Sequence, residues 1–306
     1  MTIEVLLATQ LDPAEILPFR NNFEVSYTPD AARFGTFLEE GRGKHIRAAV
    51  VRNAVPFGER ELDLLPSLEL VVALGSGTDS IDSTALARRN VTLLTGHGVN
   101  AACVADHALA MILCLLRDIT SLDRMVREKG WGVKNTPPRA VGGTRLGLIG
   151  LGAIGSEIAK RAAAFDMSIA YCCRDRQPDI QWQYFNSVAE MAETSQILVI
   201  CCPGGPATRH LVNAEVLERL GTQGLVINVA RGSIIDTGAL ITALETGRIC
   251  GAALDVLDAT DGEFRQLAAM RNVIITPHTA GRSPASLEAA IGHAIAGLHR
   301  HFSDHP

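Results

Sequence analysis

Gly150, Gly152 and Gly155, spaced G-x-G-x-x-G, follow the apolar run 146–149 and open a segment in which Ile158, Ala162 and Phe165 recur at helical spacing. Each glycine has a task that a side chain would obstruct: a tight turn at Gly150, close approach of a pyrophosphate at Gly152, and close helix–sheet packing at Gly155. The first N–H groups of the helix, at Ala153 and Ile154, would face the phosphates with the positive end of the helix dipole behind them. A strand, this turn, a helix and a second strand in that order predict a dinucleotide site. Glycines serving turn geometry alone are the other reading.

The second strand, residues 168–173, reaches the position where a site for NAD carries an acid that accepts from the ribose 2'-hydroxyl, about 20 residues beyond the glycines. Cys173 stands there, followed by Arg174 and Arg176. A guanidinium can pair bidentately with a 2'-phosphate, so NADP(H) is expected over NAD(H). Asp175 could instead reach the ribose, and a solvated charged loop is the third reading.

Beyond this unit the apolar runs 197–202, 225–229, 251–256 and 273–275 alternate with helical segments. In open parallel sheets ligands bind outside the carboxyl ends of the strands, which directs attention to Cys202 and Pro203, Ala230 and Arg231, Asp255, and His278. A guanidinium is a permanent cation whose planar fork matches a carboxylate, and an imidazole titrates near neutrality and can act as acid or base. Beside Pro277 at a strand end, His278 is as readily a structural residue.

These groups must be positioned by elements, and the pattern of elements is α/β throughout. In the first hundred residues the runs 3–8, 48–51, 68–74 and 91–94 predict a small domain of parallel strands and crossover helices without its own fingerprint. The loop after residue 74 reads L-G-S-G-T-D-S-I-D, and the amides of Ser76 and Gly77 could form an anion-binding concavity if a glycine there adopts positive φ. A plain turn is the alternative. Residues 96–100 read as a linker. Residues 101–116 form an apolar helix too short to span a bilayer, with Asp106 and His107 read as a satisfied polar pair or as functional groups. Trp131, before a Pro-Pro loop, suits a subunit contact or local packing. Residues 283–302 read as a terminal amphipathic helix.

A chain of 306 residues suggests two domains. A net charge of -5 with no long basic run gives no case for nucleic acid or an anionic membrane as partner. The amino-terminal residues lack a secretory pattern and no stretch approaches 18 apolar residues, so a cytoplasmic setting is expected. The seven cysteines show no zinc spacing, no metal site is expected, and the thiols are read as buried small hydrophobes.

Four ordered motifs, G-L-I-G-L-G-A-I-G at 147–155, N-V-A-R-G-S-I-I-D-T-G-A-L at 228–240, G-A-A-L-D-V at 251–256 and N-V-I-I-T-P-H-T-A-G at 272–281, resemble the D-isomer-specific 2-hydroxyacid dehydrogenases over nearly the whole chain. The resemblance implies two Rossmann-like, doubly wound parallel-sheet domains. A continuous dinucleotide-binding domain, residues 100–282, would be inserted in a discontinuous substrate domain, residues 1–99 with the terminal helix 283–306. It implies a homodimer, with Trp131 available to its interface. It also implies that Arg231 holds the carboxylate and carbonyl oxygen of a small 2-oxo acid, that the Ser76 and Gly77 amides hold the rest of the carboxylate, and that His278 exchanges a proton with the carbonyl oxygen. Gly150, Gly152, Ala153, Ile154, Gly155, Cys173, Arg174, Arg176, Cys202, Pro203, Thr208, Val229, Ala230, Asp255, His278 and Ala280 would line the cofactor. C-C-R-D-R and the stretch V-I-C-C-P-G-G-P-A-T-R-H-L-V-N, residues 199–213, are similar to the NADP-dependent glyoxylate and hydroxypyruvate reductases.

One departure stands out. The family usually has a glutamate, in a short E-P motif beyond L-D-V, that orients the histidine. Here Thr260 and Asp261 occupy those positions. Asp258 or Asp261 could substitute, or both could be solvated loop charges. Without the glutamate, a homologue with altered substrate, or a dinucleotide sensor acting through protein interactions, is the alternative to a reductase. Retention of Arg231 and His278 favours catalysis.

Overall fold

The computed structural model describes residues 3–52 and 55–304. It divides into two compact units, one comprising the chain up to Asn100 with that from Arg282 onward, the other Ala101–Gly281.

In the first unit, strands β1 (Glu4–Ala8), β2 (Glu24–Thr28), β3 (Ala48–Val51), β4 (Leu70–Ala73) and β5 (Thr92–Thr95) form one parallel sheet in the order β2-β1-β3-β4-β5. Strands buried on both faces read as unbroken apolar runs, and alternate residues supply the two faces. Leu6, Ala49 and Val71 face one core with Phe34, Phe37 and Phe57. Val5, Leu7, Val50 and Val72 face the other, where the terminal helix Pro284–Asp304 contributes Ile291, Ala294 and Leu298.

In the second unit, β6 (Arg145–Ile149), β7 (Ser168–Cys172), β8 (Gln183–Phe185), β9 (Ile197–Ile200), β10 (Leu225–Asn228), β11 (Gly251–Leu254) and β12 (Val273–Ile275) form a parallel sheet in the order β12-β11-β10-β9-β6-β7-β8. The winding direction reverses between β6 and β9, the topological switch point at which doubly wound sheets bind dinucleotides. Ile197, Val199, Leu225 and Ile227 face the layer formed by Ala101–Leu116 and Ala153–Ala164, and Leu198, Ile200, Val226 and Leu254 face the opposite layer. Both units are thus doubly wound α/β sheets.

Three apolar runs outlast their strands. β9 stops at Ile200, β10 at Asn228 and β11 at Leu254; the next amides, of Cys201, Val229 and Asp255, make one closing bond each to the adjacent strand, and the chain then turns into the loops at the sheet's carboxyl edge. Strand β7 likewise ends at Cys172, where the Cys173 thiol turns to donate to the Asp175 carbonyl at 3.0 Å. The cysteines are also less hidden than their apolar context suggests. Six are half-buried and Cys250 is exposed, because they cluster at strand ends and helix margins rather than mid-core.

No helix among the described residues is long and apolar enough to cross a membrane. Ala101–Leu116 instead buries Val104, Ala108, Leu109, Met111 and Ile112 inside the second unit. Ile112 is fully enclosed. Ile112→Ala should lower stability by about 2–5 kcal/mol, read as a lower denaturant midpoint at unchanged slope.

Candidate active site at the carboxyl edge of the seven-stranded sheet

The glycine turn lies where the switch point predicts. Gly150 has φ +100°, and a Cβ there would stand 2.8 Å from the Cys202 backbone. A Cβ on Gly155 would meet the Gly150 carbonyl oxygen at 2.5 Å, so helix and turn approach as closely as the backbone permits. At Gly152, by contrast, nothing lies within 4 Å of that direction. It is also the N-cap of Ala153–Ala164, whose first N–H groups have no acceptor within the helix. An open backbone concavity lined by unsatisfied donors fits a pyrophosphate.

Thiols surround the turn without reactive character. Cys201 donates to the Gly150 carbonyl at 3.0 Å, and burial raises its pKa far above the ordinary range. Burial pushes Cys202 up to about 11. Burial also raises Cys172 and Cys173, so all four stay protonated at neutral pH.

The loop after β7 is fixed from beneath. Buried Tyr171 receives the Gln177 amide at its hydroxyl (3.1 Å), Gln177 donates its side-chain amide to the Leu151 carbonyl (2.6 Å), and Tyr184 donates to the Cys173 carbonyl (3.3 Å). Arg174 and Arg176 are exposed on this held loop, and among the described residues neither forms an ion pair.

Arg231 is presented by a buried amide. Asn228 ends β10 with no exposure, accepts the Ala230 amide at 3.0 Å and donates to the Arg231 carbonyl at 2.9 Å. The Arg231 guanidinium donates to the Ala230 carbonyl at 2.7 Å, and its stem lies against Gly204, where a Cβ would come within 2.8 Å of Cγ. Gly232 packs closer still: a Cβ there would stand 2.1 Å from the Leu257 carbonyl carbon and 2.2 Å from the Asp258 nitrogen. Thr237 adds a 2.7 Å hydrogen bond to the Asp258 carbonyl, so the backbone of the acidic loop is pinned to the arginine turn.

His278 is held by its backbone. Its amide donates to the carbonyls of Asp255 and Thr276, both at 3.0 Å, and φ is +50°, a region non-glycine residues seldom occupy. The Asp255 carboxylate, with 1% of its side chain exposed, accepts the Thr276 hydroxyl at 2.6 Å and the Thr279 and Ala280 amides at 2.9 Å each. The histidine side chain itself is exposed.

Thr260, where the sequence resemblance leads one to expect a glutamate, is a helix cap. Thr260 accepts the Glu263 amide, and Glu263 reaches back to the Thr260 amide at 2.8 Å, the two-way capping box that opens Asp261–Ala269. The Thr260 amide and hydroxyl hold the Glu263 carboxyl below its ordinary range. Asp258 lies 3.7 Å from Arg209. Among the described residues no carboxylate stands within 4.0 Å of the His278 ring as an ion pair, Asp258 and Asp261 included.

Other expected positions fall as follows. Pro203 is exposed, and Thr208 donates to the Pro203 carbonyl at 2.9 Å, closing the loop after Cys202. Val229 and Ala230 are buried beside Asn228, and Ala280 is buried behind Asp255. In the first unit Gly75, Ser76 and Gly77 all lack positive φ, so the glycine-dependent concavity does not form in that way. The loop is set by the Gly96 amide donating to the Gly75 carbonyl (3.1 Å) and by Ser76 bonding Asn100 (3.3 Å). Asp106 and His107 are not a pair with each other: Asp106 accepts from Arg161 at 2.6 Å, and His107 lies 3.1 Å from Thr276. Asn228, Gly204, Gly232 and Thr276 therefore join the site on structural grounds alone, and His107, which the sequence offers as paired or functional, joins it through Thr276. Of the first four only Asn228 had a visible signal, a polar residue closing an apolar strand just before an arginine turn.

Residues 109–280 match the model of the D-isomer specific 2-hydroxyacid dehydrogenase NAD-binding domain. The chain is 36% identical over 262 residues to a glyoxylate/hydroxypyruvate reductase of Arabidopsis thaliana, covering 85% of this chain and 81% of that one. It is 36% identical over 260 residues to the hydroxyphenylpyruvate reductase of Plectranthus scutellarioides, covering 84% and 83%. Among solved structures, the NADPH-dependent glyoxylate/hydroxypyruvate reductase of Sinorhizobium meliloti, in complex with NADP and malonate, superposes with a TM-score of 0.88 at 32% identity, covering 99% of this chain and 94% of that one.

Because Thr260 caps a helix, Thr260→Ala should lower stability by about 1 kcal/mol, visible in the denaturation midpoint. Gly232→Ala should be more damaging, since backbone and not a side-chain tip must move. Its readout is a lower melting temperature.

Proposed function

The chain belongs to the D-isomer specific 2-hydroxyacid dehydrogenase family, and from that premise we propose that this oxidoreductase is an NADPH-dependent cytoplasmic reductase of short 2-oxo acids of the glyoxylate and hydroxypyruvate kind, yielding the D-2-hydroxy acid. The observation that carries the reading is the gathering, at one carboxyl edge of one parallel sheet, of an open glycine turn after β6, Arg231 after β10 and His278 after β12.

In this reading the open backbone at Gly152, with the amides of Ala153 and Ile154, takes the pyrophosphate, and Gly150 and Gly155 shape the turn. Arg174 and Arg176, beside Cys173, take the ribose 2'-phosphate. Cys202, Pro203 and Thr208 line the adenosine side, and Val229, Ala230, Asp255 and Ala280 the nicotinamide side. The bound reduced nicotinamide supplies the hydride that reaches the carbonyl carbon.

The remaining chemistry falls to this chain's own residues. Arg231 pairs its planar fork with the substrate carboxylate and stabilises negative charge as it develops on the carbonyl oxygen. His278 donates a proton to that oxygen and is the base in the reverse direction. Among the described residues no carboxylate forms an ion pair with its ring, and the backbone bonds to the Asp255 and Thr276 carbonyls fix the main chain that carries it. A homodimer completes the proposal. Trp131 is 95% exposed and Ile119–Lys129 has no buried residue, which suits an apolar subunit contact.

The lack, among the described residues, of a carboxylate ion-paired to His278 favours one second reading, a cofactor-binding sensor without turnover. Initial rates of NADPH and NADH oxidation with glyoxylate, hydroxypyruvate and pyruvate separate the two. The reductase gives turnover, faster with NADPH. The sensor binds NADPH and turns over none. Arg231→Ala should reduce kcat/KM by about 100- to 1,000-fold, on the order of 3–4 kcal/mol. Arg174→Ala should raise KM for NADPH while leaving KM for NADH nearly unchanged. An unchanged NADPH-to-NADH preference would remove Arg174 from the site.

A further inference from the structure

His107 is a polar residue on the apolar helix Ala101–Leu116, where Val104, Ala105, Ala108 and Leu109 are buried. Its side chain is 23% exposed, and its Nε2 lies 3.1 Å from the Thr276 hydroxyl and 3.7 Å from the Asp255 carboxylate. The proton inventory settles the direction of these bonds. Thr276 has one hydroxyl proton and donates it to Asp255 at 2.6 Å, because an ionised carboxylate has none to give. Facing Nε2 the hydroxyl can only accept, so Nε2 of His107 carries a proton.

The bonds therefore run in one sense, from His107 to Thr276 to Asp255. They end on the same carboxylate that receives the Thr279 and Ala280 amides, and Asp255 also accepts the His278 amide on its backbone carbonyl. Hydrogen bonds in such a chain polarise one another, and the left-handed conformation at His278 persists only if its surroundings over-determine it. We propose that His107 is a positioning residue for the reaction: through Thr276 it fixes the Asp255 carboxylate and thereby the loop that presents His278. The proposal rests on the reductase reading for its catalytic consequence, and on the hydrogen-bond chain alone for its structural one.

The test is a double-mutant cycle in the full chain with His107→Leu, Thr276→Val and both together, read by amide hydrogen exchange at His278, Thr279 and Ala280 and by kcat and KM with NADPH and glyoxylate. Each single variant should speed exchange at these three amides by about tenfold and lower kcat by a similar factor, with KM within about twofold. The double variant should exchange no faster than the singles, because both remove the same chain. His107→Gln, which keeps a donor within reach of Thr276, should restore exchange and kcat to within about threefold of the parent. Additive effects in the double variant, or loop exchange unchanged in His107→Leu, would overturn the proposal. If the parent protein turns over no 2-oxo acid while the exchange pattern holds, the reductase reading fails and the positioning role stands.

Discussion

A carboxylate removed from water is costly unless its oxygens are filled by donors, and Asp255 meets that condition with a hydroxyl and two backbone amides. Those donors are not chosen freely. They come from the five residues that follow β12, so satisfying the buried charge folds the 276–280 segment around it. The geometry of His278 follows from the electrostatics of a carboxylate at the end of the neighbouring strand, β11. Asn228 acts on the same logic for Arg231, with a buried amide whose two ends must both be met within one turn. In each case a polar group at a strand's end anchors the turn that carries its neighbour, half-buried Arg231 in one and exposed His278 in the other.

Much of the architecture was legible because strands covered on both faces must be apolar over their whole length. The runs A-A-V-V, L-V-V-A, I-L-V-I and L-V-I-N announce β3, β4, β9 and β10. Strands β2 and β8 escaped that reading for a physical reason. E-V-S-Y-T and Q-Y-F are edge strands, half-exposed and part polar, and the rule of continuous hydrophobicity does not bind them. The overestimated strand ends have the opposite origin: Cys201, Val229 and Val256 are apolar yet lie past the last residues of their strands.

The site was legible where local spacing carries it and opaque where it depends on long-range pairing. The glycine turn and the strand-end arginine and histidine are local patterns. His107 and Thr276 lie 169 residues apart, and nothing within either segment signals the other. Gly204 and Gly232 likewise look like ordinary loop glycines, and only packing shows that Arg231 and the Leu257–Asp258 peptide leave them no room for a side chain. The loop at Ser76 and Gly77 is the converse case: glycine permits positive φ there, and the backbone does not use it.

The capping box at Thr260 and Glu263 has an evolutionary consequence. If an ancestor carried the family's usual glutamate at 260, the present helix start is a ratchet. Reintroducing the acid there would discard the cap that now initiates Asp261–Ala269, so the reverse substitution is disfavoured unless a compensating change comes first.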